Sequence, residues 1–138
     1  MNKKEQVEQL TRYMANFVSY VGKKLPDDVE AKLAELTEKE DSPLSRVIYD
    51  TMKKNQDLAM KLNRPCCQDT GVLQFWVKCG TGFPLIGELE GLLKEAVMLS
   101  TKEAPLRHNS VETFDEYNTG KNVGKGTPTV FWDIVPDS

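Results

Sequence analysis

Apolar residues recur at helical spacing through the first half of the chain. Val7, Leu10, Met14, Phe17, Val18 and Val21 predict a first helix, punctuated by Gly22 and Pro26. Asp27 followed by Glu30 resembles a capping box, opening a second helix with Val29, Leu33 and Leu36 on its apolar side. Ser42-Pro43 pairs a capping serine with a proline at the first helical position. Leu44, Val47, Ile48, Thr51, Met52, Leu58, Ala59 and Leu62 then predict a third helix that stops before Pro65.

The pattern changes in the second half. Val72 to Val77 is rich in β-formers and reads as a strand. Gly80, Gly82 and Pro84 mark a loop. Leu85, Ile86, Leu89, Leu92, Leu93, Ala96 and Val97 form a helical stripe that ends near Lys102. The polar stretch from Pro105 to Pro128 is long for an unstructured loop, so it is expected to be functional or partly helical, with a turn or two over Val111 to Tyr117. Thr129 to Val135 reads as a second strand.

These elements define an α+β class: a helix-rich N-terminal half, then strands and a helix that form part of a larger mixed-sheet domain. Two strands alone make a marginal sheet, and the apolar helix faces call for more surface to cover them. The pattern of residues 1–138 reads as the first part of a larger α+β unit.

With 39% hydrophobic and 28% charged residues, the composition suits a globular protein and argues against disorder. The net charge of -3 is mixed along the chain, without a basic block or basic–aromatic stripe, so nucleic-acid binding has little support. The apolar runs are too short to span a membrane, and the N-terminus lacks the apolar core of a signal peptide. A cytoplasmic location is the default expectation.

The three cysteines, Cys66, Cys67 and Cys79, are odd in number, and adjacent cysteines rarely pair, which disfavours a disulfide scaffold. The densest chemistry lies at Arg64-Pro65-Cys66-Cys67-Gln68-Asp69-Thr70-Gly71. There two thiols, an amide, a carboxylate and a hydroxyl sit between a helical and a strand-like segment. Thiolates suit soft iron and zinc centres. Without paired Cys-x-x-Cys spacing, an ordinary zinc site ranks last.

At that segment the chain resembles the class I, iron–sulfur fumarate hydratase family. Leu62-Asn63-Arg64-Pro65, Cys67-Gln68-Asp69-Thr70-Gly71, Phe83-Pro84-Leu85 and Ala104-Pro105-Leu106-Arg107-His108-Asn109 carry the resemblance. Glu112 to Glu116, Asn118 to Asn122 and Trp132-Asp133-Ile134 continue it, and Pro26 to Val29 and the surroundings of Ile48-Tyr49 extend it towards the N-terminus. The segments at Leu106 to Asn109 and Glu112 to Glu116 look more like the tartrate-acting branch than the malate/fumarate branch.

The resemblance implies that residues 1–138 are the N-terminal part of the truncated catalytic domain of a hydro-lyase α subunit. The implied enzyme dehydrates a 2-hydroxy dicarboxylic acid, L(+)-tartrate to oxaloacetate first and malate to fumarate as the alternative. It implies a 4Fe-4S cluster held by three cysteines, with one iron open as a Lewis acid. Cys67 matches the first cluster cysteine. Gln68 and Asp69 match substrate-contacting positions, with Asp69 the candidate for proton transfer. Arg107 matches an arginine that grips a substrate carboxylate. Cys66 and Cys79 match no ligand position, and two further cysteine ligands are expected outside the chain. His108 is expected to be structural, and Asn118 to Asn122 a solvated turn. A β subunit is the implied partner, in a hetero-oligomer or dimer. The isolated chain is expected to be inactive, and a non-catalytic, partner-binding fragment is the rival from another class.

Overall fold

The structure is a computed structural model that describes residues 1–67, 71–112, 114 and 116–137. Helix α1 (Lys3–Lys23) opens with a reciprocal capping box. The Glu5 N–H donates to Asn2 Oδ1 at 2.9 Å, and the Asn2 N–H donates to Glu5 Oε2 at 2.8 Å, so two orphan donors are satisfied. Helix α2 (Asp27–Lys39) has no such cap. Pro26 occupies the capping position, and its carbonyl accepts from the Val29 and Glu30 N–H groups. The capping box expected at Asp27 and Glu30 does not form, because Asp27 is already the first helical residue and its carboxylate turns back to Lys24. Helix α3 (Pro43–Leu62) starts as expected, with Ser42 Oγ accepting from the Ser45 N–H and proline in the first turn.

Strand β1 (Gln74–Gly80) begins two residues later than the β-forming run suggests. A 3₁₀ turn at Ile86–Glu88 leads into α4 (Leu89–Glu103). Among the described residues, the polar stretch shows no helical turn around Val111 to Tyr117, where the sequence predicts one or two; Thr113 and Asp115 lie outside the described residues. It holds a short antiparallel pair, β2 (Val111–Glu112) with β3 (Tyr117–Asn118). Asn118 Nδ2 donates to the His108 carbonyl at 2.8 Å, which ties β3 to the preceding loop and favours the extended pairing. Strand β4 (Thr129–Val135) follows a cis Thr127–Pro128 bond.

Strands β1 and β4 pair in parallel, from Gln74 opposite Thr129 to Gly80 opposite Val135. Parallel neighbours need a long crossover, and α4 lies within it. The alternation puts Trp76, Lys78, Phe131 and Asp133 on one face. Trp76 and Phe131 stack there at 5.2 Å between ring centroids, with Trp76 largely exposed.

The core sits where α1 packs along α4. On α4 the buried stripe is Leu89, Leu92, Leu93, Ala96, Val97, Ser100 and Thr101. On α1 the buried residues are Thr11, Ala15, Val18 and Ser19, while Phe17 and Val21 stay exposed. The face of α1 that meets α4 is therefore the small-residue face, and most of the larger apolar stripe lies beside it. Small side chains let two helix axes approach closely. A charged clamp closes the edge of this interface, with Arg12 Nη1 donating to both Glu103 oxygens at 2.6 and 2.8 Å.

Candidate functional site

Three helix C-termini meet beside the cysteine pair. The last carbonyls of a helix lack intrahelical partners, and the segment after α3 uses them. Asn63 ends α3 in the left-handed conformation, φ 52° and ψ 53°, which asparagine tolerates. Its Nδ2 donates to the Glu103 carbonyl at the end of α4 at 3.0 Å, and its Oδ1 accepts from Lys23 Nζ at the end of α1 at 2.7 Å. The Cys66 N–H donates to the Gly22 carbonyl at 2.9 Å, and the Cys66 carbonyl accepts from Asn55 Nδ2. The backbone of residues 63–66 is thereby tied to all three helices, and the exposed Cys67 follows directly.

The opposite wall follows α4. Ala104 is fully buried, and the chain turns out through Leu106 to Arg107, which is exposed. Asn122, buried and at φ 56°, reaches back to this turn. Its Nδ2 donates to the Arg107 carbonyl at 2.9 Å and to Thr101 Oγ1 at 3.2 Å, and its Oδ1 accepts from the Asn109 N–H at 2.8 Å. Asn109 Nδ2 crosses to the Gly71 carbonyl at 3.0 Å and joins the two walls.

Between the walls lies a cleft of about 230 Å³. Pro65, Cys67, Gly71, Val72 and Leu73 line one side, and Leu106, Arg107, Asn109, Ser110 and Asn122 line the other. Gly22, from the last turn of α1, completes it. A β-carbon at Gly22 would stand 3.2 Å from Leu106 Cδ2, so the glycine lets that wall close in. The arrangement brings a cysteine and an arginine to one opening, with the amides of Asn109 and Asn122 committed to holding its walls. That set suits an anionic oxygen ligand next to a soft metal centre.

A larger groove of about 520 Å³ runs between α2 and α3, lined by Leu33, Ala34, Tyr49, Met52 and Met60 with lysine and acidic side chains around them. It contains none of the sequence-predicted site residues. Chemistry, not size, singles out the smaller cleft.

A profile of the fumarate hydratase (Fumerase) family matches residues 11–138. The chain belongs to that family. It is 53% identical over 137 residues to the L(+)-tartrate dehydratase subunit alpha of Escherichia coli (strain K12), covering 99% of this chain and 45% of the relative. The same identity and coverage hold for the L(+)-tartrate dehydratase subunit alpha of Shigella boydii serotype 4 (strain Sb227). A putative fumarate hydratase class I of Geobacillus stearothermophilus is 30% identical over 125 residues, covering 90% of this chain and 24% of that relative. The chain thus spans less than half the length of these relatives.

Of the sequence-predicted site residues, Cys67 and Arg107 line the same cleft. Gln68 and Asp69 lie outside the described residues, as do Thr70, Thr113, Asp115 and Ser138. Among the described residues, no group of three or more histidine, cysteine, aspartate or glutamate side chains could hold a metal ion. Cys66 is engaged through its backbone, and Cys79 is buried on β1 opposite Ile134. The donor set therefore fits a 4Fe-4S cluster only in part: among the described residues, Cys67 is the one cysteine that lines the cleft. Among the described residues, no helix is long and apolar enough to cross a membrane.

His108 is exposed, and its carbonyl accepts from Asn118 Nδ2 at 2.8 Å. The Asn118 to Asn122 segment is not wholly the expected solvated turn, because Asn122 is an interior residue. Sequence reasoning missed Asn63, Asn109 and Asn122. For Asn63 and Asn122 the available signal was asparagine beside helix-ending or glycine-containing sequence, where left-handed backbone is common.

Proposed function

We propose that this chain is the N-terminal part of the α subunit of an iron–sulfur hydro-lyase, and that the complete enzyme dehydrates L(+)-tartrate to oxaloacetate. The observation that carries this reading is the shared cleft of Cys67 and Arg107, which are far apart in sequence. The 53% identity to tartrate dehydratase α subunits supports tartrate over malate.

Arg107 grips one substrate carboxylate through its planar fork, which sets the position of the carbon chain. Gln68 offers an amide to the substrate oxygens. Asp69 takes the proton from the carbon next to the departing hydroxyl. The C–O bond breaks, the proton taken from carbon and the departing hydroxide together make up the one water released, and the resulting enol tautomerises to oxaloacetate. Cys67 would hold one iron of a 4Fe-4S cluster, with two cysteines from outside this chain. When bound, that group supplies a Lewis acid that makes hydroxide a better leaving group. A β subunit completes the assembly.

Anaerobic cluster reconstitution, with and without the remaining α-subunit sequence and the β partner, tests this reading. The expected result is a stable cluster and tartrate-dependent oxaloacetate only in the complete assembly. A stable cluster on the 138-residue chain alone would overturn the assignment of ligands. Faster turnover of malate than of tartrate by the complete assembly would overturn the choice of substrate.

A further inference from the structure

We infer that Asn122 is a positioning residue for substrate, acting through Arg107. The inference rests on the reading of Arg107 as the carboxylate grip. Arg107 follows the buried end of α4 on an exposed turn, and exposed turns are in general more mobile than the elements they connect. A bidentate grip needs the opposite, a fixed origin for the side chain.

Asn122 supplies that origin. One side-chain amide bonds both flanks of the turn, donating to the Arg107 carbonyl at 2.9 Å and accepting from the Asn109 N–H at 2.8 Å. Its remaining donor reaches Thr101 Oγ1 at 3.2 Å, on the fully packed face of α4. The turn is thus referenced to the core helix. Asn122 is itself buried, 7% exposed, so water does not compete effectively for these bonds. Its φ of 56° explains the residue type, since asparagine reaches this region and still carries an amide.

The test separates backbone from side chain. Asn122→Gly keeps the left-handed backbone and removes the amide. Asn122→Asp keeps the acceptor for Asn109 and places an oxygen against the Arg107 carbonyl. Thr101→Val removes only the anchor on α4 and serves if the glycine variant folds poorly. Each is compared with Arg107→Lys in the complete dehydratase that contains this chain.

The expected result for Asn122→Gly is a KM for tartrate raised about tenfold with a smaller change in kcat. Calorimetric titration of tartrate into the metal-free assembly is expected to weaken by a similar factor. The Asn122→Gly, Arg107→Lys double variant is expected to be no worse than Arg107→Lys alone. An unchanged KM in Asn122→Gly, or effects that add fully in the double variant, overturns this inference and leaves the role of Arg107 standing. An unchanged KM in Arg107→Lys overturns the role of Arg107, and the inference with it.

Discussion

Asn109 Nδ2 donates to the Gly71 carbonyl at 3.0 Å, a single bond that spans the cleft between the cysteine-bearing wall and the arginine-bearing wall. Gly71 follows the cysteine pair and precedes β1, while Asn109 follows Arg107. The bond therefore joins the segment that follows Cys67 to the segment that follows Arg107. Asn109→Ala is expected to loosen the Gly71 to Leu73 segment. Faster amide hydrogen exchange there, with α4 protection unchanged, is the outcome that checks it.

Cys67 is the only cysteine of the three that lines the cleft among the described residues. In the complete assembly, Cys67→Ser is expected to abolish stable cluster incorporation, read as lost iron and lost visible absorption. Cys66→Ser is expected to retain both, because Cys66 is held through its backbone N–H and carbonyl, which serine reproduces. Cys79→Ser is expected to lower the thermal midpoint and leave the cluster intact, since it puts a hydroxyl into a buried strand position.

Asn63 ties the ends of α1, α3 and α4 together from a left-handed position. Asn63→Ala loses the bonds to Lys23 and Glu103 and adds backbone strain, and is expected to destabilise the fold by about 2 kcal/mol. Asn63→Gly keeps the backbone freedom and is expected to cost roughly half as much. Chemical denaturation of the pair measures the difference. Equal losses would show that the strain contributes nothing.

Ala15 is 1% exposed on the small-residue face that α1 turns to α4. Ala15→Leu adds volume where the helices approach closely, and is expected to destabilise by roughly 1–3 kcal/mol. Phe17→Ala, on the exposed side of the same helix, is expected to have a much smaller effect. Parallel thermal melts separate the two faces.

Lys39 and Lys32 both donate to the Glu35 carboxylate, and these bonds hold its pKa below the ordinary 4.5. A carboxylate lowered in the folded state contributes stability above its unfolded value and loses it as pH falls through the folded value. On exposed α2 the contribution is small, because solvent screens the charges. The expected outcome is weakening of α2 amide protection below about pH 4.5, reduced in Glu35→Gln. An identical acid profile in wild type and variant would remove Glu35 as the cause.

Much of the helical architecture was legible from the chain. Ser42-Pro43 and Pro65 bracket α3 through local sterics, and Thr129 to Val135 is a β-forming run that matches β4. The misses have a shared cause. At Pro26-Asp27-Asp28 several residues compete for one capping position, and the turn geometry chose Pro26. Around Val111 to Tyr117 the chain has mixed propensity, and bonds such as Asn118 to the His108 carbonyl decided for a strand pair. The first residue of β1 was set by its register with β4.

The candidate site divides the same way. Residue chemistry along the chain drew attention to the cysteine pair, and the family resemblance, carried by local motifs, singled out Cys67 and Arg107. That these two side chains line one cleft is not a local property. It follows from α1 burying Thr11, Ala15, Val18 and Ser19 against α4, from three helix ends meeting at Asn63 and Cys66, and from Asn122 bonding the turn at Arg107. Each joins segments distant in the chain, through bonds that form only when packing has brought those backbones together. The sequence by itself therefore determined the parts and their chemistry, and the tertiary structure alone decided their spacing.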